Sequence, residues 1–157
     1  MRAPGALPEP AAVSVAYSLI PVQPSDAPFL LAVYASTRAE ELAQVDWTPE
    51  QKQAFVAMQY NAQTSHYARV YPEAEYSIIQ CGEAPAGRLI VQRGQTALLL
   101  MDIALLPQFQ RAGVGTAVIR DLMTEARQKG LPVVLHVETF NPARRLYERL
   151  GFRVCAE

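Results

Sequence analysis

The alternation of apolar and polar positions divides the chain into short strand-like runs and longer helical stretches. Apolar and β-branched runs that end at Pro, Gly or a charged turn predict strands, at 13–20, 74–81, 86–92, 97–106, 131–138 and 152–155. Apolar residues at three- and four-residue spacing predict helices, at 24–42, 49–71, 114–129 and 142–150. An antiparallel meander followed by a βαβ crossover predicts a mixed sheet with helices packed on it, in an α/β or α+β domain.

The second predicted helix has a start signal and a stripe of residues at helical spacing. Thr48 and Pro49 are a start signal, with Thr48 at the N-cap and Pro49 at the first helical position. Helical spacing then selects the stripe, which consists of Phe55, Met58, Gln59, Ala62 and His66.

Length and composition suit one folded domain. The chain has 157 residues, 50% of them hydrophobic and 18% charged, which is globular composition. Residues 1–12 are expected to form a flexible tail and residues 13–157 the single domain. The net charge of −1 gives no electrostatic reason to expect nucleic acid or a membrane surface as partner.

Cysteine usage and hydropathy favour a cytoplasmic protein. Cys81 and Cys155 form neither a disulfide framework nor a metal-ligand spacing, so we expect reduced thiols and no bound metal. No apolar run approaches the roughly 18 residues of a membrane span.

The run from residue 97 to residue 115 has the form of a phosphate site. An apolar strand leads through Pro107 and a polar loop to Gly113 and Gly115, where a helix begins. Unpaired N–H groups and the helix dipole favour an anion there. A dinucleotide fold needs a third glycine where Val118 stands, so that reading is disfavoured. Taken alone, glycines that serve packing at a helix-starting turn remain an alternative.

Two motifs resemble those of one enzyme family. The loop QRAGVG at 110–115 is similar to the Q/R-x-x-G-x-G/A acetyl-CoA motif of the GCN5-related N-acetyltransferases (GNAT). The segment NPARRLYERLGF at 141–152 resembles that family's N-x-x-A-x-x-L-Y-x-x-x-G-F signature, about 30 residues further on. The resemblance covers 74–152 and implies a mostly antiparallel sheet of six or seven strands flanked by about four helices.

The resemblance implies transfer of an acetyl group from acetyl-CoA to a primary amine, by direct attack in a ternary complex. It places the pantetheine arm along the backbone of 103–105 and the pyrophosphate on the loop and first helical turn. The implied cofactor-binding residues are Ile103, Ala104, Leu105, Gln110, Arg111, Ala112, Gly113, Val114, Gly115, Thr116 and Asn141.

The resemblance also implies the catalytic candidates. Tyr147 matches the family tyrosine that protonates or hydrogen-bonds the departing thiolate, although its place on an apolar helix face also fits a core aromatic. His136 and Glu138 lie on one face of their strand by alternation. His136 falls where some members carry a catalytic glutamate, so this pair is the candidate proton acceptor, with a half-exposed polar face as the alternative.

The sequence gives weaker signals for the residues that bind the amine acceptor than for those that bind the cofactor. Asp102 lies inside an apolar strand, so it either faces the cleft at a strand break or pairs with an arginine. The first helices wall the amine site in the family, which implicates Glu40 and Trp47. Further polar or charged candidates there are Arg38, Glu41, Asp46, Gln59, Gln63 and His66. The expected acceptor is a small-molecule or peptide amine.

Two further questions stay open at this point. A non-catalytic CoA-binding accessory module is the alternative to an enzyme. The family closes with two strands after Gly-Phe, but only 152–157 follow here, so the last strand is either missing or supplied by another subunit. The second case would make the protein a homodimer.

Overall fold

A computed structural model describes residues 15–135 together with Tyr147, Arg149 and Leu150. The elements are β1 (Ser18–Pro21), α1 (Ala27–Leu42), α2 (Pro49–Val70), β2 (Glu75–Cys81), β3 (Ala84–Arg93), β4 (Leu98–Leu105), α3 (Val114–Gln128) and β5 (Val133–Leu135). Short 3₁₀ turns at Pro24–Asp26 and Pro107–Phe109 precede α1 and follow β4.

The described strands form one sheet in the order β1-β2-β3-β4-β5. Neighbouring strands are antiparallel except β4 and β5, which are parallel and joined through α3. The predicted mixed, mostly antiparallel sheet is therefore confirmed. Its size differs from the expectation, because the described part holds five strands and three α-helices.

The remaining predicted elements lie largely outside the described residues. Tyr147 and Arg149 are helical, as expected for the fourth helix. The predicted last strand at 152–155 and the predicted tail at 1–12 lie outside that part. Along the described chain, no helix combines the length and the apolar character that a membrane crossing requires.

The helical spacing that predicts α2 does not mark the side chains that this helix buries. The structure buries Val56 and Tyr67 in this helix, whereas Met58 is 56% exposed. The face that looks onto the sheet is made of Tyr60, Gln63, Thr64 and Tyr67, which follow one another at helical spacing. A ranking of side chains by hydrophobicity predicts that methionine is buried in preference to tyrosine. In this helix, however, tyrosine rings and the Gln63 amide cover the sheet.

A bulge in β4 decides which side of the sheet its residues face. Ile90 pairs with Asp102 but Val91 pairs with Leu100, so Met101 is an extra residue in the ladder. Leu98 and Leu100 pack in the cluster beneath α3. Plain alternation would place Asp102 in that apolar cluster as well. The bulge turns Asp102 to the opposite face, which α1 and α2 cover, and returns Ile103 to the α3 side.

Ion pairs fix the far end of α3 to the sheet. The Arg93 guanidinium contacts Glu125 of α3 at 2.6 Å and Glu75 of β2 at 2.8 Å. Hydrogen bonding by Arg93 lowers the pKa of the Glu125 carboxyl to about 2. With its C-terminal turn held, α3 presents a defined N-terminal turn after β4.

Gly87 allows β3 and β4 to approach closely, and we predict that Gly87→Ala lowers the stability of the protein. A Cβ at this position would lie 2.0 Å from the Ala104 carbonyl oxygen, so the strands must separate. We expect a loss of about 2 kcal/mol or more in the free energy of unfolding, measured by urea denaturation.

Gly82→Asn is the matched control for this prediction. Gly82 has a φ of 63°, and a Cβ there meets no atom within 4 Å. Asparagine tolerates this conformation, so we expect stability within about 1 kcal/mol of the wild type. Equal stabilities for the two variants would contradict the close approach of the strands.

Candidate active site

The connection from β4 to α3 is a short loop, and the Val15 side chain lies against it, because a Cβ on Gly113 would be 3.1 Å from Val15 Cγ2. The Gln110 side-chain amide donates a hydrogen bond of 2.9 Å to the Leu105 carbonyl, which fixes the loop to the end of the strand. Arg111 has a φ of 64° and Gly113 a φ of 85°. Two left-handed residues this close together turn the chain sharply into the helix.

The first turn of α3 has no side-chain cap within the described residues. Gly113 is the N-cap and makes no side-chain capping hydrogen bond. The first-turn N–H groups of a helix have no intrahelical acceptor, and the dipole places partial positive charge on them. Val114 and Gly115 are buried and Thr116 is half-buried, whereas Arg111, Ala112 and Gly113 are exposed. This donor set fits a phosphate group.

β4 extends past the three residues that pair with β5 in the described part of the chain. The parallel pairing joins Leu98–Leu100 to Val133–Leu135, and β4 then runs on to Leu105. Tyr147 lies at this part of the strand, 2% exposed, with its hydroxyl hydrogen-bonded to the backbone of Ile103. That bond lowers the phenol pKa, so its donor is the N–H, because a donor stabilises the phenolate. The tyrosine and the backbone predicted for the thioester therefore meet at one point.

Burial keeps the Tyr147 phenol in its neutral form. Removal from water raises its pKa well above the ordinary value, and the charges of Asp102 and Tyr67 add to the rise. The Ile103 hydrogen bond opposes these effects and is the smallest of them. Near neutral pH the hydroxyl thus keeps a proton with which it can donate a hydrogen bond.

Asp102 and Arg88 form a buried ion pair under the site. The Arg88 Nε donates to Asp102 Oδ2 at 2.6 Å, and the two side chains are 7% and 9% exposed. Of the two alternatives stated for Asp102, the structure shows the pairing with an arginine, next to the bulge in β4. The Asp102 carboxylate raises the pKa of the Arg88 guanidinium, against the effect of burial.

Arg88 joins the sheet to both N-terminal helices. Its Nη2 donates to the Gln63 side-chain oxygen at 2.6 Å. The guanidinium carbon lies 5.8 Å from the ring centres of Tyr34 of α1 and Tyr60 of α2, within the range of a cation–π contact. One guanidinium thus contacts β4, α1 and α2.

The candidates on the acceptor side occupy varied environments. Arg38 is buried against Glu41, Tyr34 and Gln59, which marks it as part of the α1–α2 packing. Trp47 is 42% exposed and packs edge-on against Phe55. Glu40 and Asp46 are exposed on the surface. His136, Glu138 and Asn141 lie outside the described residues.

The sequence interpretation missed Arg88 and gave no role to Tyr67. A signal for Arg88 exists, because it is the single charge inside the apolar run AGRLIVQ and shares a face with Ile90. A buried charge in one strand calls for an opposite charge nearby, and Asp102 is the acidic residue of β4. Tyr67 offers no such signal.

Comparison with known proteins identifies the family. The family model described as the acetyltransferase (GNAT) family matches residues 36–152. Since the match spans more than half of the sequence, the chain belongs to the GNAT acetyltransferase family, a family of acyltransferases.

Individual relatives agree at lower coverage. The [ribosomal protein bS18]-alanine N-acetyltransferase of Haemophilus influenzae is 39% identical over 54 residues. That stretch covers 34% of this chain and only 37% of the relative's own length.

Solved structures share the fold. A GCN5-related N-acetyltransferase of Rhodopseudomonas palustris has a TM-score of 0.60 at 20% identity, covering 88% of this chain and 82% of that one. The PaiA N-acetyltransferase of Thermoplasma acidophilum, in complex with coenzyme A, has a TM-score of 0.62 at 14% identity, with coverages of 88% and 91%. Within the described part of the chain, no group of three or more His, Cys, Asp or Glu side chains is placed to hold a metal.

The buried ion pair leads to a stability prediction. We expect Arg88→Met to lower the free energy of unfolding by about 3–5 kcal/mol, because Asp102 stays buried without its partner. The double variant Arg88→Met, Asp102→Leu removes both charges and should recover most of that loss in urea denaturation.

The control is Lys129→Met at the exposed pair with Glu125. We expect a change within about 1 kcal/mol, as for other surface ion pairs. If the double variant were as unstable as Arg88→Met alone, the loss would not come from an unpaired carboxylate.

Proposed function

We propose that this protein is an N-acetyltransferase that transfers an acetyl group from acetyl-CoA to a primary amine, by direct attack in a ternary complex. The observation that carries the proposal is the Tyr147 hydroxyl on the Ile103 N–H, on the strand that leads into the N-terminus of α3. A hydrogen-bond donor for sulfur and a phosphate site are thereby connected by one short stretch of chain.

The loop and first turn of α3 are the proposed binding site for the pyrophosphate. The backbone N–H groups from Arg111 to Thr116 surround a concave turn, and Gly113 lets the phosphate oxygens approach the backbone. Arg111 is exposed beside this turn and adds a positive charge. Gln110 keeps its proposed place in the cofactor site, where its side-chain amide also holds the loop on β4.

The edge of β4 is the proposed surface for the pantetheine arm. Bound acetyl-CoA supplies an activated thioester carbonyl. The backbone of Ile103, Ala104 and Leu105 pairs with the arm as a neighbouring strand does, which orients that carbonyl. A backbone N–H of this stretch, other than that of Ile103, which donates to Tyr147, then stabilises the negative charge that develops on the carbonyl oxygen during attack.

Tyr147 is the proposed hydrogen-bond donor to the departing sulfur. Its raised pKa favours donation of a hydrogen bond over complete transfer of the proton. The donor acts most strongly where charge develops on sulfur, so it stabilises the transition state more than the bound substrate. Asn141 keeps its proposed cofactor contact on the strength of the motif alone.

The amine must lose a proton, and His136 and Glu138 are the proposed acceptors for it. This assignment rests on their alternation along the predicted strand. Asp102 is assigned a positioning role, because its carboxylate is already bound by Arg88.

The acceptor is a small-molecule or peptide amine. A peptide is supported by the Haemophilus influenzae relative, whose name specifies an alanine of a ribosomal protein. Glu40 and Trp47 remain proposed contacts at the end of α1 and in the loop after it, where both are exposed. The cytoplasmic location and a homodimer remain predictions.

We predict that Tyr147→Phe lowers kcat about 100-fold, the scale seen when one preorganised donor is removed, with the KM for acetyl-CoA unchanged. Release of the CoA thiol in the presence of a broad amine panel measures this. Tyr71→Phe is the control, because Tyr71 packs against the buried cluster that contains Tyr67. This variant should keep full activity.

Two results would contradict the proposal in different ways. Unchanged kcat in Tyr147→Phe removes the tyrosine from the mechanism. Tight binding of acetyl-CoA by the wild type without turnover on any amine would establish the accessory-module alternative.

A further inference from the structure

A cavity of about 160 Å³ lies between α2 and the strands β2 and β3. Most of its wall is aromatic or aliphatic, formed by Tyr60, Tyr67, Tyr76, Leu30, Val22 and Ile90. A cavity of about 150 Å³ lined by apolar side chains accommodates a molecule the size of benzene. The space therefore fits one ring or one branched aliphatic side chain.

The charges around the cavity favour a neutral occupant. Arg88 is part of the wall, but Asp102 neutralises it at 2.6 Å and Gln63 accepts a second hydrogen bond from it. A ligand carboxylate would bring a second negative charge beside Asp102. A ligand ammonium would lie beside the Arg88 guanidinium, which repels it.

The cavity and the candidate active site share two residues. Tyr67 lines the cavity and also contributes to the raised pKa of Tyr147. Arg88 lines the cavity and binds Asp102, whose charge acts on the same phenol. Asp102 is also the neighbour of Ile103 in β4, so the ion pair connects the cavity wall to the strand that bonds Tyr147.

We infer that this cavity is the pocket for the acceptor's side chain, and that the preferred acceptor is a primary amine bearing a neutral apolar group of about one ring. The inference rests on the proposed N-acetyltransferase function and narrows its acceptor class. The cavity wall selects on size and charge, while the amine itself reacts at the thioester carbonyl.

The first test compares amino acid amides that differ only in the side chain. With the wild-type protein we expect kcat/KM for phenylalaninamide and leucinamide to exceed that for glycinamide by at least about tenfold. Lysinamide and glutamate α-amide should fall near or below glycinamide. Equal values across the series, or a preference for a charged side chain, would overturn the inference.

Thr64→Trp tests the position of the pocket. Thr64 is an exposed residue of α2 that lines the cavity, so a large ring there fills the opening at little cost to the fold. We expect kcat/KM for phenylalaninamide to fall about tenfold or more, with glycinamide unchanged. Val22→Phe narrows the cavity from the end of β1 and should act in the same direction.

Ala62→Trp is the matched control, because Ala62 is exposed and lies about half a turn away on α2. It should leave the ratio of the two substrates unchanged. Melting temperatures of all three variants separate a filled pocket from a damaged fold. A ratio unchanged in folded Thr64→Trp and in folded Val22→Phe would overturn the inference.

A binding measurement separates this inference from the proposed function. Fluorine NMR with 4-fluorophenylalaninamide should show binding to the wild type and to Ala62→Trp, and loss of binding in Thr64→Trp. Binding at the cavity without acetyl transfer to any amine would reject the function and retain the pocket. Transfer without side-chain preference would reject the pocket and retain the function, and neither binding nor transfer would reject both.

Discussion

The arrangement of this site depends on the ion pair between Arg88 and Asp102. Burying two charges is unfavourable unless each finds its partner and further hydrogen bonds. Here Asp102, Gln63 and two tyrosine faces surround a single guanidinium. Because those partners come from α1, α2 and β4, the pair fixes the helices relative to the strand that carries Ile103. The proposed catalytic groups need such support, because small displacements of catalytic groups have large effects on the reaction rate.

The bulge at Met101 makes this pair possible. It moves Asp102 out of the apolar cluster under α3 and places it among the tyrosines of the opposite face. The bulge also shifts the residues that follow it by one position. The Ile103 N–H then points away from β3 and donates to the Tyr147 hydroxyl. One extra residue in β4 therefore determines both the buried ion pair and the hydrogen bond between Ile103 and Tyr147.

Much of this architecture follows from local patterns. The positions of proline and glycine predict the helices and most strands. The turn at Gly113 is also predictable, because glycine readily adopts the left-handed φ of 85° found there. The sequence left a strand break at Asp102 as one alternative, but it could not place the bulge, because ALLLM is a continuous apolar run and only the pairing with β3 shows the shift. The buried face of α2 could not be read from the sequence for a related reason, since its tyrosine and glutamine side chains face the sheet through partners in other elements. For Asp102, the sequence indicates an arginine partner as one alternative, but it does not indicate that the partner is Arg88.

The central claim is that the N-terminus of α3 binds the phosphates of acetyl-CoA, and titration calorimetry on Thr116→Glu tests it most directly. Thr116 is the third residue of α3, where a carboxylate stabilises the helix dipole but repels a phosphate. We expect the melting temperature to stay level or rise while affinity for acetyl-CoA falls by about tenfold or more. The uncharged Thr116→Gln should retain much more of the affinity. Equal affinity in wild type and Thr116→Glu would contradict the account.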